Sequence, residues 1–468
     1  MADALEIASA VLAVFVLTVF INWRFHPLYS IPAIGRAYKY CNNAREVLQE
    51  GYAKHKVFKV AMLDQWIVIV SGADMNEELR KIRTRMRLLI RRLKMYIVQM
   101  RYTLSESVVS HPIHLPAIRG PLTRNLGILF GDVVDEVNAA FADTIGNKLQ
   151  SDGELTIPVV LSRMGQCKRA DDHGGGYLAG RNEDYLQIVR QFTFDVGKAR
   201  FLLSLFPKST RNASVYLKPM IEERQKKLKV LGDDWTDKPN DYLMWMIDEA
   251  NREGQPTQVI LEGIMVSNFA AIHTSSNSMT HAIYHLAGAP EYAAVLREEV
   301  ENVIKEDGWT KVAFGKMWKL DSFMRESQRI NGITHISVMR KILQDTTLSD
   351  GTFLPAGTVV AGAASATHRD ARSYENPDVF DPFRFSDMRN EDDARIKHQF
   401  VSTSPEYVAF GGGKHACPGR FFAVNELKVM MVYTLLHYDV KFEDGQPRPD
   451  NSSRWHDVLF RKRQVVAA

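Results

Sequence analysis

Phe410-Gly-Gly-Gly-Lys-His-Ala-Cys417-Pro-Gly-Arg420 places one cysteine behind three consecutive glycines and just ahead of a helical pattern that runs to about His437. Glycines such as Gly411 and Gly413 let a chain hug a flat cofactor and offer amide donors without side-chain bulk. A helix beginning beyond Cys417 directs its positive end at the sulfur, which favours thiolate over thiol. The other two cysteines, Cys41 and Cys167, are distant in sequence, so no disulfide framework is read and a reducing compartment fits. A lone thiol is most often a small buried hydrophobe. The glycines and the helix start are what set Cys417 apart.

Upstream, Glu326-Ser-Gln-Arg329 lies on a short helix ending near Asn331-Gly332. A Glu and an Arg three residues apart share one helix face; taken alone they would be a surface ion pair worth under about 1 kcal/mol. Further along, Phe380-Asp-Pro382-Phe-Arg384-Phe385 falls in a Pro-, Asp- and Arg-rich stretch, Asp370 to Gly413, that is mostly irregular. The longest helical pattern runs from about Thr257 to His285, is stopped by Gly288 and Pro290, and carries Ala270-Ala-Ile-His-Thr274-Ser275.

These segments, in this order, resemble the cytochrome P450 enzymes. Phe410, Gly413, Cys417 and Gly419 fill the four fixed positions of that family's cysteine loop. The resemblance implies a mainly α fold with a small β region, enclosing heme b (iron protoporphyrin IX) between the helix of Thr274 and the loop of Cys417. Cys417 would be the metal ligand, and a thiolate there pushes electron density into the heme iron. Glu326, Arg329 and Arg384 would form a buried structural clamp, the arginine fork gripping the carboxylate at two points. Thr274 takes the place of the distal threonine that helps deliver protons. Ala271 stands where relatives have glycine, and His273 where they have an acid. A histidine can relay protons, or it can sit beside the site with no chemical part. Arg340, His415 and, more loosely, Arg124 match places that contact the heme propionates. By family position Phe269, Ala270, Ile333, Thr334, His335 and Val338 line the substrate pocket.

The implied reaction inserts one oxygen atom from O₂ into a C–H bond or a double bond. No flavin or nicotinamide fingerprint appears, so electrons would come from an NADPH-dependent flavoprotein reductase. The small-small-Ile-His-Thr run is similar to fungal members that oxidise terpenoids and other secondary metabolites, which points to a small apolar substrate. Two other readings stay open. Some heme-thiolate proteins rearrange or dehydrate their substrates without O₂, and a mis-spliced gene would yield a non-catalytic product. The second is raised by two segments that depart from the family pattern: the basic, apolar residues 83–98, and residues 162–180 with Lys168-Arg-Ala-Asp-Asp-His-Gly-Gly-Gly176. The final hairpin, Asn451 to Leu459, also looks short.

Composition sets the frame. The chain has 468 residues, 45% of them hydrophobic, which is ample for a large core. The net charge of +4 is a local matter. Eight basic residues and no acidic one lie between Arg80 and Lys94, and the remainder is net negative, so no nucleic-acid face is expected. Between Glu6 and Arg24 stand 17 uncharged, largely apolar residues, close to the minimum for a membrane-spanning helix. Trp23 sits at the expected interface, and the basic residues that follow place the remainder in the cytosol. The expected organisation is therefore a membrane anchor at 1–23, a linker and domain start at 24–46, and a catalytic domain at 47–468, held by one pass at the endoplasmic reticulum membrane. Val57–Met62 and Gln65–Ser71 read as a hairpin, and Thr347–Val360 as strand, turn, strand.

Overall fold

The structure is a computed structural model that describes residues 28–62, 65–82, 108, 110–146, 149, 155–158, 187–188, 208–390, 396–443, 448 and 457–463. The anchor expected at 1–23, the basic stretch 83–98, the segment 162–180 and most of 451–459 lie outside them. Among the described residues no helix is long and apolar enough to cross a membrane.

In chain order the first elements are β1 (Ala33–Ile34), α1 (Ala37–Lys54), β2 (Val57–Ala61), β3 (Trp66–Val70) and α2 (Ala73–Lys81). Then come α3 (Phe130–Phe141), β4 (Leu155–Pro158), α4 (Lys208–Leu231), α5 (Tyr242–Arg252), α6 (Thr257–Gly288), α7 (Glu291–Asp307) and α8 (Trp318–Ile330). Four strands follow: β5 (Ser337–Lys341), β6 (Thr346–Thr347), β7 (Phe353–Leu354) and β8 (Val359–Gly362). The chain closes with α9 (Arg384–Asn390), α10 (Arg420–His437), β9 (Tyr438–Lys441) and β10 (Asp457–Lys462). The architecture is mainly helical with small sheets, as the sequence leads one to expect. The stretch from Asp370 to Gly413 is mostly irregular, as expected, and is interrupted by the short α9. Its Ser386 hydroxyl donates to the Phe383 carbonyl, and the Phe385 amide is held by the Ser322 hydroxyl, so the chain after Pro382 has partners for a short helix.

The chain forms two compact units. One comprises the described residues up to position 82 with Thr334–Glu375 and Pro405–Lys414. It is built on a five-stranded sheet ordered β1-β2-β3-β8-β5. The β2–β3 hairpin pairs Val57 with Val70 and Ala61 with Trp66. Its apolar run Trp66-Ile-Val-Ile-Val70 is buried on both faces, as suits an inner strand of β-branched residues. Val68, Val70, Val338, Ile342, Leu354, Val360 and Val408 share one core cluster. The β5–β8 pairing slips between Ser337 and Arg340, and Val338 takes a φ of +49° at that bulge, a costly place for a β-branched residue.

The other unit holds the helices from α3 to α8 with α9 and α10, and a three-stranded antiparallel sheet ordered β4-β10-β9. Helix α6, 32 residues and so about 48 Å long, is its axis. It buries residues on every side, the mark of a helix enclosed by others. Met246, Ile247, Val259, Ile260 and Ile264 pack together where α5 meets α6. Asp241 caps α5 by accepting from the Met244 amide, and its carboxylate also takes the buried Arg224 guanidinium at 2.7 Å.

Candidate heme-thiolate site

In the sheet-bearing unit the glycine-rich run is shaped by contact with α2. Gly411 and Gly413 have φ of +74° and +65°, which a residue with a side chain rarely adopts. A Cβ at Gly413 would stand 2.9 Å from the Arg80 carbonyl oxygen, and one at Gly412 would meet the Arg80 side chain at 2.8 Å. Phe410 is buried at the start of the run. Across the same backbone, Arg340 on β5 donates from Nη2 to the Gly412 carbonyl and from Nη1 to the Met339 carbonyl, both at 2.9 Å.

Arg340 is 1% exposed, and its Nε has no hydrogen-bond partner. No carboxylate pairs with it among the described residues. Burial first, and then the charge of Arg80, push its pKa down to about 10. A buried cation held by carbonyls alone is an unbalanced group that an anion would satisfy. Thr334 in this unit is exposed and donates to the Ile336 carbonyl, His335 is half-buried, and Val338 lies in the apolar core beneath the sheet. The pKa of His335 is lowered by burial and by Arg45 and Arg369.

In the helical unit, His415 ends the single turn Gly413–His415 and is half-buried. Gly419 is the N-cap of α10, and Arg420 donates to the Cys417 carbonyl at 2.9 Å. By surface area Cys417 is exposed, yet protein crowds the thiol closely enough for burial to push its pKa up. The area governs access to the sulfur, and the crowding governs its electrostatics. The amides of Gly419 and Arg420 and the Arg420 charge act in the opposite, thiolate-favouring sense, but burial outweighs them. The helix start therefore works as the sequence suggests without producing a thiolate by itself. A metal ion bonded to sulfur would supply the missing stabilisation, since a coordinating thiol is deprotonated outright.

On α6, Ala270, His273, Thr274 and Asn277 follow the i, i+3, i+4, i+7 spacing of one face. Ala270 is exposed and the other three are half-buried, an open stretch on an otherwise enclosed helix. Thr274 Oγ1 donates to the Ala270 carbonyl at 2.7 Å. Helix α6 continues through Ala271 without interruption. The His273 ring lies 5.3 Å from that of Phe269, and burial lowers its pKa, so it is neutral near pH 7. Ile333 is exposed in the turn after α8.

The structure also brings Glu326, Arg329 and Arg384 together. Both carboxylate oxygens of Glu326 take hydrogen bonds from Arg329, and Oε1 also takes the Asp381 amide at 3.1 Å and Arg384 Nε at 3.3 Å. Arg329 continues to the carbonyls of Pro377 and Val379. Arg124, by contrast, is exposed on a one-turn helix, Thr123–Asn125, and makes no hydrogen bond or ion pair among the described residues. Arg80, which packs on the glycine run, carried no signal in the sequence beyond the basic cluster it begins.

A family model described as Cytochrome P450 matches residues 182–466. Cytochrome P450 monooxygenase 71 of Postia placenta is 52% identical to this chain, the alignment covering 99% of each. Cytochrome P450 monooxygenase CYP512U6 of Ganoderma lucidum is 35% identical over 96% of this chain and 93% of its own. Among solved structures, retinoic acid-bound cyanobacterial CYP120A1 superposes with a TM-score of 0.68 over 92% of this chain and 99% of that one; at 18% identity this bears on the fold alone. The family is heme-thiolate, with heme b as its cofactor. Identity over essentially the whole length, with a cysteine loop that fills every fixed position, means that the chain belongs to the cytochrome P450 family of monooxygenases.

Proposed function

We propose that this monooxygenase is a membrane-bound enzyme that hydroxylates or epoxidises a small apolar substrate, a terpenoid by best fit, with electrons from an NADPH-dependent flavoprotein reductase. Two observations, each within its own unit, support the heme site: a cysteine accessible at a helix start, and a buried arginine with no carboxylate partner among the described residues. These residues fit the group. Cys417 would bond the iron, Arg340 and His415 would meet the propionates, and the glycines 411–413 would let the backbone lie close. When bound, heme supplies the activation of O₂ that no side chain can perform. The chain's own part is to hold the sulfur, orient the substrate and place the Thr274 hydroxyl where a proton is needed. The open face of α6 has a small residue, Ala270, one turn before Thr274, which suits an apolar molecule.

The location follows from the N-terminal run. Residues 1–23 would anchor the chain in the endoplasmic reticulum membrane, 24–46 would link and begin the catalytic domain, and 47–468 would lie in the cytosol. The test has two parts. Protein expressed with a fungal reductase should sediment with membranes and convert terpenoid probes only when NADPH, O₂ and the reductase are all present. Product formed without reductase would overturn the monooxygenase cycle in favour of rearrangement, and deleting residues 1–23 without any move toward the soluble fraction would overturn the anchor.

A further inference from the structure

Four hydroxyls along the middle of α6 share one habit, and Ser275 departs from it. Ser267, Thr274, Ser276 and Thr280 each donate to the carbonyl four residues back, at 2.6–2.8 Å. Ser275 instead reaches off the helix and donates to Glu426 Oε2 on α10 at 2.9 Å. Ser275 and Glu426 are 2% and 3% exposed. A carboxylate that deep depends on its donors, and a hydrogen bond in such surroundings is stronger than one in water.

The position of the pair matters more than its strength. Ser275 directly follows Thr274, and successive helical residues point about 100° apart, so one faces the open side and the other faces α10. Glu426 stands six residues beyond Arg420, about 9 Å along the helix that begins at the cysteine loop. One hydrogen bond thus joins the helix that follows the Cys417 loop to the turn that carries Thr274. We propose that the Ser275–Glu426 hydrogen bond sets the position of the Thr274 turn relative to Cys417, which makes both of its members positioning residues for the distal side of the heme. This rests on the heme-thiolate reading given above.

The test uses the full-length, heme-loaded protein and imidazole as a distal probe. Imidazole binding to the ferric protein is followed by its Soret shift, alongside low-spin ferric EPR g-values, heme content and thermal unfolding. Ser275→Ala should change the imidazole Kd by about fivefold or more and move the g-values, while heme content and the CO spectrum persist. Ser275→Thr, which keeps a hydroxyl, should restore wild-type values. Ser276→Ala, whose hydroxyl bonds within its own helix, should leave them unchanged. Glu426→Gln keeps an acceptor and should shift the Kd less than Ser275→Ala does. If Ser275→Ala alters only the unfolding temperature, or Ser275→Thr fails to restore the Kd, the bond is a packing contact and the proposal is overturned. Should Glu426→Gln fail to fold, the two Ser275 variants decide. A wild-type protein with no imidazole or CO response would overturn the heme reading itself, a result separable from any change among the variants.

Discussion

Arg329 grips Glu326 at two points, Nε to Oε2 and Nη2 to Oε1, each at 2.7 Å, with both side chains fully shielded from solvent. The pair is three residues apart on α8, a spacing that on a surface would contribute little. Here it is buried, and Arg329 also holds the carbonyls of Pro377 and Val379. Removing one partner strands a charge in a low-dielectric interior, at a cost of about 3–5 kcal/mol. Arg329→Ala should therefore give little folded, heme-loaded protein. Arg384→Ala should be milder, because its contact with the carboxylate is longer, at 3.3 Å. Thermal unfolding and heme content per chain check both; a stable, fully loaded Arg329→Ala would show that the clamp is dispensable.

Cys417→Ala should lose the thiolate-type Soret band of the reduced CO complex, while Cys41→Ala and Cys167→Ala keep it. The reason is local. Among the described residues only Cys417 combines access with a helix start and two amides aimed at the sulfur. Loss of the band in either of the other two variants would move the ligand elsewhere.

Thr274→Ala should leave heme content and the CO spectrum intact while the product formed per NADPH falls and peroxide rises. The hydroxyl sits on the open face of α6 and in this structure donates to its own helix, so turning it outward costs only one exchangeable bond. His273→Ala should add a second, smaller loss if the ring carries protons, and that loss should vary on the acid side of neutrality, because burial lowers the ring's pKa. Unchanged coupling in Thr274→Ala would mean that protons arrive by another path.

Acid should destabilise the helical unit through three buried histidines. Burial pushes His114 and His281 down to about 4 and holds His285 well below its ordinary value; Arg448 adds to the effect on the last two. His285 is stacked on Phe380 at 3.6 Å and bonded to Asn331. The unfolded chain takes up protons on these rings as the pH falls through about 6.5, and the folded chain does so only at lower pH. The stability that comes from keeping the rings neutral is thus complete above about 6.5 and drains away toward 4. The unfolding temperature should be level from pH 7 to 8, then fall, and His281→Gln should flatten the fall. A profile of identical slope in that variant would remove His281 from the account.

What the sequence revealed and what it withheld follow from how local each signal is. The hairpin of β2 and β3, the long α6 and the helix after Cys417 are written in short-range patterns of apolar spacing and turn residues, and each appears within a few residues of its expected bounds. The gathering of Glu326, Arg329 and Arg384 was legible only through family resemblance, since a gap of 55 residues separates the last two. Arg80 could not be seen at all, because its role depends on glycines more than 300 residues away having no Cβ where it packs. The bond from Ser275 to Glu426 is of the same kind, a serine that differs from its neighbours only in where the fold lets it reach.

Near the N-terminus, Lys59 is buried and its side chain donates to the Leu28 carbonyl at 2.5 Å, while its amide donates to the Pro32 carbonyl and β1 pairs in parallel with β2. The chain is therefore fastened to the sheet from Leu28 onward. Between that fastening and the end of the proposed anchor at residue 23 lie only four residues, a leash of about 17 Å at full stretch. An enzyme on so short a leash cannot roam. Held by the anchor proposed above, it would sample a narrow shell of solution above the bilayer, where an oily molecule dissolved in the lipid is many times more concentrated than in the water beyond.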